Sequence, residues 1–126
     1  MSRERISVLL VEDEVLISEL VAEWLSERGF AVHEVTSGDA ALRFLESGAS
    51  VDVLFTDIDL PGKIDGAELA LRARARRPDL PIVYASGRYG ASEIGELVPR
   101  SIFLPKPYDR NDVCTLLGRL TANGPH

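Results

Sequence analysis

The stretch Val51-Asp52-Val53-Leu54-Phe55-Thr56-Asp57-Ile58-Asp59-Leu60-Pro61-Gly62 decides the fold. It is a short apolar run, rich in β-branched and aromatic residues, that stops at an acid and is then broken by Pro61-Gly62. The run is too short for a helix and too apolar for a half-exposed strand, so it reads as a buried strand of a parallel sheet. Asp57 then sits at the strand's carboxyl end. Open α/β sheets bind ligands there, and a strand end is a rigid mount for a reactive group. A strand-end acid alone more often caps a loop or a helix. The rest of the chain must decide.

Working outward, Ile6 to Val11 reads as another buried strand, ending in Glu12-Asp13-Glu14. Ile17, Leu20, Val21, Trp24 and Leu25 then recur at helical spacing, and Gly29, following Arg28, reads as a C′ stop. Phe30 to Val35 is a strand. Ser37 can cap a helix running to about Glu46. Beyond Pro61-Gly62, Ala67 to Arg77 is helical, with Leu69, Ala70, Leu71 and Ala73 as apolar content, and Pro78 and Pro81 end it. Pro81 to Ser86 is a fourth strand and Ser101 to Leu104 a fifth. Between them, Gly87 to Arg100 is expected to hold one short helix, weakened by Gly90 and Gly95. Asp109 caps a last helix with Val113, Leu116, Leu117 and Leu120 facing inward. Five strands alternating with five helices mean an α/β, doubly wound fold with a five-stranded parallel sheet. Right-handed crossovers place helices on both faces.

The totals agree with one domain spanning 1–126, its core at about 6–120 and a frayed tail at 121–126. The 126 residues suffice for one core, and 45% hydrophobic with 27% charged residues is ordinary for a globular chain. A net charge of −6 weighs against nucleic acid or an anionic membrane as partner. One cysteine, Cys114, rules out an internal disulfide framework and fits a reducing compartment. No signal-peptide pattern and no membrane-length apolar run occur, so a cytoplasmic location is expected.

Four strands end in suggestive groups: Glu12-Asp13, Asp57, Ser86-Gly87 and Lys106-Pro107. With the strands in the order 2-1-3-4-5, the first and third flank the switch point of the sheet. Asp13 and Asp57 then face one crevice. Converging carboxylates repel, and a hard cation such as Mg²⁺ relieves this. A hydroxyl and an ammonium nearby suit the remaining oxygens of a phosphoryl group. The set reads as phosphoryl transfer to a carboxylate nucleophile.

Val11-Glu12-Asp13-Glu14, Asp57-Ile58-Asp59-Leu60-Pro61 through Asp65-Gly66, Ser86-Gly87 and Lys106-Pro107 together resemble the receiver domain of two-component response regulators, from about Ile6 to Leu120. The resemblance implies a flavodoxin-like fold and a chemotaxis-receiver-like module that catalyses only its own phosphorylation and dephosphorylation. It implies that Asp57 accepts a phosphoryl group from a sensor histidine kinase or histidine phosphotransfer protein. Asp13, Asp57 and the backbone carbonyl of Asp59 would bind Mg²⁺, with Glu12 acting through its water. Ser86 and Lys106 would each contact a phosphoryl oxygen, and Ser86 with Phe103 would form the switch. A Lys106-Pro107 cis peptide is also implied, an isomer that costs an X-Pro bond about 0.5–1 kcal/mol. No output domain follows Leu120 in this sequence, so a stand-alone regulator is expected. Its signal would leave by phosphorylation-dependent contacts of an unnamed downstream protein with the 90–120 face.

Departures from the family pattern are local. The usual Pro-x-Met-Asp-Gly has one extra residue here, as Pro61-Gly62-Lys63-Ile64-Asp65-Gly66, so the loop is expected to bulge. The hydroxyl is Ser86 rather than the commoner Thr, and the switch aromatic is Phe103 rather than Tyr. Pro81-Ile82-Val83-Tyr84-Ala85-Ser86-Gly87 partly resembles the Pro-Phe-x-Phe-Ala-Thr-Gly variant of single-domain receivers. Asp59 and Arg88 carry opposite charges and are expected to pair across the mouth of the site. His33 reads as an exposed strand residue, Trp24 as core, Cys114 as a small hydrophobe, and Arg72, Arg74, Arg76 and Arg77 as a solvated helix face. Two enzyme alternatives share part of the pattern. Asp57-x-Asp59 resembles the haloacid-dehalogenase phosphatase motif, and Glu12 with Asp57-x-Asp59 resembles a Toprim metal site.

Overall fold

The computed structural model describes residues 5–87 and 98–122. The elements run β1 (Ser7–Val11), α1 (Val15–Glu27), β2 (Ala31–Val35), α2 (Gly38–Glu46), β3 (Val53–Asp57), α3 (Gly66–Arg76), β4 (Ile82–Ser86), β5 (Ser101–Pro105) and α4 (Arg110–Ala122). All four strand pairings are parallel, and the sheet order is β2-β1-β3-β4-β5, as expected. Four helices lie among the described residues. The helix expected within Gly87 to Arg100 falls almost wholly outside them. No described helix is long and apolar enough to cross a membrane.

The central strands explain the architecture. β3 and β4 are buried at every position, and side chains alternate between the two faces of the sheet. On one face Leu9, Leu54, Ile82 and Tyr84 pack with Leu42 and Leu45 of α2 and Leu69 and Ala73 of α3. On the other, Leu10, Phe55 and Val83 pack with Val21 and Leu25 of α1 and Val113 and Leu117 of α4. Each large side chain fully removed from water contributes about 1.5–3 kcal/mol. Parallel pairing thus leaves every strand's carboxyl end on one edge, and both helical layers brace it.

Caps fix where three helices begin. Ser37 Oγ accepts from the Ala40 amide at 3.1 Å, and Asp65 Oδ1 accepts from the Glu68 amide at 2.9 Å. At α4 the capping is reciprocal: Asp109 Oδ1 accepts from the Asp112 amide at 2.8 Å, and Asp112 Oδ2 accepts from the Asp109 amide at 3.1 Å. Each such oxygen satisfies an amide that the first helical turn leaves without a partner.

Several residues sit differently from their sequence pattern. Leu20 and Leu71, both at helical core spacing, are 46% and 55% exposed. The groove beside α1 is left open at Leu20, and α3 has its inward face filled by Leu69, Ala70 and Ala73. Trp24 is only partly buried, at the edge of its cluster. Arg74 is not part of a solvated face. Its guanidinium donates to the carbonyls of Leu80, Pro99 and Arg100 and ties α3 to the chain entering β5. His33 is exposed, as expected, but its ring stacks on Phe44 at a centroid distance of 3.9 Å.

At the start of α3, Gly66 leaves no room for a side chain. A Cβ at 66 would overlap the carbonyl oxygen of Asp57 and lie 2.8 Å from Ile58 Cα. These are backbone atoms of the strand end, so they cannot swing away. Gly66→Ala is expected to destabilise the fold by about 1–3 kcal/mol, the range for overpacking a tight contact. An unchanged midpoint in urea unfolding would contradict this account of the α3 approach.

Candidate functional site

The carboxyl edge of the sheet gathers the polar groups. Glu12 follows β1, Asp57 ends β3, Ser86 ends β4 and Lys106 follows β5. Glu12, Asp57 and Ser86 are buried, at 3%, 8% and 1% exposure, whereas Asp13 is exposed. One carboxylate oxygen from each of Glu12, Asp13 and Asp57 lies within 4.8 Å of the others. Lys106 reaches into this group. Its Nζ donates to Asp57 Oδ2 at 3.0 Å and to Glu12 Oε1 at 3.2 Å.

Backbone amides hold the carboxylates in place. The Asp59 amide donates to Asp57 Oδ1 at 3.1 Å, and the Glu14 amide donates to Glu12 Oε2 at 3.1 Å. Each buried carboxylate therefore has one oxygen on an amide and the other on Lys106. Lys106 is aimed by its own main chain: its amide donates to the Ser86 carbonyl at 3.0 Å, and the following peptide to Pro107 is cis, as expected.

The electrostatics follow from burial and charge. Burial raises the Glu12 carboxyl above its ordinary range, against the opposing pull of the Glu14 amide and Lys106. Burial by itself would lower the Lys106 ammonium. The hydrogen bonds and negative charges of Asp57 and Glu12 outweigh it and hold Lys106 above its usual value. Lys106 is thus fully charged at neutral pH. Burial pushes the Tyr108 phenol up to about 12, so it is neutral there.

The donor set fits a hard divalent cation. All its side-chain donors are carboxylate oxygens, and an ammonium already shows that the cluster takes positive charge. Mg²⁺ is bound through one or two carboxylates plus substrate phosphates. The Asp59 side chain is half-buried beside the cluster, and Asp13, Glu14, Asp57, Asp59, Gly87 and Lys106 line one open cleft. Arg88, the expected partner of Asp59, lies outside the described residues.

Phe103 is half-buried in β5, opposite Tyr84. It packs on the cluster that includes Tyr84, Leu69 and Leu80. Where the extra residue was expected to bulge, Pro61, Gly62 and Lys63 are exposed. Gly62 has φ +92°, a left-handed conformation that suits glycine.

A second surface feature was not apparent in the sequence. Val15, Leu16 and Leu20 of α1 are 54%, 81% and 46% exposed. They adjoin an apolar groove of about 470 Å³ formed by Ile17, Leu20, Val21, Trp24, Pro107 and Tyr108. Gly87 and Lys106 line both this groove and the acidic cleft. Helical periodicity marked Ile17, Leu20, Val21 and Trp24 as an apolar stripe but could not show that the neighbouring turn leaves part of it uncovered, and it did not mark Val15 or Leu16.

Comparison with known proteins agrees with the geometry. The sequence model of the response regulator receiver domain matches residues 8–117. Sensor kinase CckA of Brucella abortus is 34% identical over 113 residues, which are 86% of this chain and 12% of CckA. Transcriptional regulatory protein TcrA of Mycobacterium tuberculosis is 30% identical over 122 residues, 95% of this chain and 47% of TcrA. The chain thus spans less than half the length of these curated relatives. Among solved structures, a response regulator receiver protein from Sinorhizobium medicae superposes with a TM-score of 0.90 at 35% identity, covering 97% of this chain and 98% of that one. The receiver domain of hybrid histidine kinase CckA gives 0.79 at 31% identity, covering 91% and 98%. With its five parallel strands in this order and its acidic strand ends, the chain belongs to the response regulator receiver domain family.

Proposed function

We propose that this chain accepts a phosphoryl group on Asp57 from a phosphohistidine of a sensor histidine kinase or histidine phosphotransfer protein. The observation that carries the reading is the Lys106 ammonium held between Asp57 and Glu12 at 3.0 and 3.2 Å, next to Asp13. An Asp57 oxygen attacks phosphorus, the new O–P bond forms, and the P–N bond breaks so that the imidazole leaves with its electron pair. Lys106, already charged, pairs with an oxygen of the transferred group, and the Ser86 hydroxyl donates to another. Mg²⁺ held by Asp13, Asp57 and the Asp59 carbonyl, with Glu12 beside them, would neutralise charge on the transferring phosphoryl group. Hydrolysis of the same acyl phosphate ends the signal.

The apolar strip on α1 is read as the seat of the phosphodonor protein, because it is continuous with the cleft through Lys106 and Gly87. A donor must bring phosphorus to Asp57, so its surface must cover the adjoining groove. Glu19, Glu23 and Glu27 lie exposed on the same helix and favour a basic rim on that partner. Output is read as leaving through the opposite flank, where Phe103, Asn111, Thr115, Leu116 and Arg119 line a groove between β5 and α4. Withdrawal of Ser86 toward phosphate would let Phe103 turn inward and change that flank.

Incubation with acetyl phosphate and Mg²⁺ tests the chemistry. Intact mass is expected to rise by one phosphoryl group in the native protein and not in Asp57→Asn. A phosphoryl gain in that variant would refute the assignment. The docking reading makes a separate demand. Leu20→Asp is expected to slow transfer from a cognate protein donor by about 10-fold or more, the cost of a central interface residue. Its labelling by acetyl phosphate is expected to be unchanged. Equal slowing with both donors would place the effect in the site rather than the docking surface.

A further inference from the structure

The loop that follows Asp57 is held at three buried anchors. Ile58, Leu60 and Ile64 are 6%, 7% and 7% exposed and belong to one core cluster. The Ile58 carbonyl closes the loop, accepting from the Leu60 amide at 3.2 Å and the Gly66 amide at 2.9 Å. Asp59 lies between two of these anchors, and its amide is bonded to the Asp57 carboxylate. The position of Asp59 therefore depends on how the far limb of the loop is seated.

That seat is the first residue of α2. A Cβ at Gly38 would overlap the carbonyl oxygen of Ile64, and would lie 2.7 Å from Ile64 Cγ2 and 2.9 Å from Ile64 Cβ. Gly38 is itself fixed, because it directly follows the Ser37 cap. Pro61–Lys63 are exposed, whereas on either side of them Ile58 and Ile64 are buried, Ile64 reaches Gly38 and Gly66 fits under Asp57.

We propose that Gly38 and Ile64 form a positioning latch for the cation site. The Ile64 main chain occupies the space a side chain at 38 would fill, and this contact sets the 58–66 loop and with it the Asp57–Asp59 edge of the carboxylate cluster. Neither residue touches the cation or the phosphoryl group. They act through the loop. The inference rests on the reading of this cluster as a Mg²⁺ site.

The test is Mg²⁺ affinity of the full chain by isothermal titration calorimetry, without a phosphodonor. Gly38→Ala is expected to raise the Kd for Mg²⁺ by about 10-fold, as changes in residues that support metal ligands commonly do. Ile64→Ala, which removes Cγ2 from the same contact and strips the buried side chain that seats the far limb of the loop, is expected to weaken binding in the same direction if Gly38→Ala does not fold. Gly118→Ala serves as control, since a Cβ there meets nothing within 4 Å, and its Kd is expected to match the native protein. At saturating Mg²⁺ both latch variants are expected to label on Asp57. A cooperative fold with native Mg²⁺ affinity in either latch variant would overturn the latch while leaving the phosphoacceptor reading intact. Failure of the native protein to bind Mg²⁺ would overturn both.

Discussion

The structure turns on one ammonium shared by two buried carboxylates. Glu12 and Asp57 are almost fully enclosed at adjacent strand ends, where unpaired negative charge is costly. Lys106 offsets that cost with hydrogen bonds to both. Breaking either would leave a buried carboxylate to the Glu14 or Asp59 amide alone. The arrangement requires three separate strand ends at one point. A parallel sheet with helices on both faces delivers them, because all strands finish on the same edge.

Much of this was legible in the sequence because it is local. The apolar run ending at Asp57 and the acids after Val11 needed no partner to be read as strand ends. The caps Ser37 and Asp109 are likewise written within three residues of the amides they serve. Leu20, Leu71 and Arg74 show where local reading stops. Spacing marks Leu20 and Leu71 as apolar face, but exposure depends on what packs opposite. Arg74 looked solvated because its carbonyl partners, Leu80, Pro99 and Arg100, lie up to 26 positions away. The contact of Gly38 with Ile64 is less visible still, since it depends on a gap of the size of one Cβ.

The same edge separates the receiver reading from the two enzyme alternatives. Both alternatives used Asp57-x-Asp59, with or without Glu12, and left Ser86 and Lys106 without a role. In the fold Lys106 is bonded to the acids, and the family match runs from β1 into α4. The two proposed partner grooves are lined by different elements, one by α1 with the turn after Lys106 and the other by β5 with α4. The groove along α1 borders the layer of α1 and α4, whereas Phe103 packs on the layer of α2 and α3. Ser86 and Tyr84 alternate with Ala85 along β4, so Ser86 points to the Phe103 side of the sheet. A change at Ser86 can therefore reach Phe103 along one face without crossing the central strands.

The central claim is that the phosphoryl group resides on the carboxylate bonded to Lys106. Borohydride reduces an aspartyl phosphate to homoserine and leaves free carboxylates untouched, so it records the site chemically. After labelling with acetyl phosphate and Mg²⁺, reduction and peptide mass spectrometry are expected to find homoserine at position 57 and at no other acid. Homoserine at position 13 or 59, or none in a chain that has gained phosphoryl mass, would contradict the account.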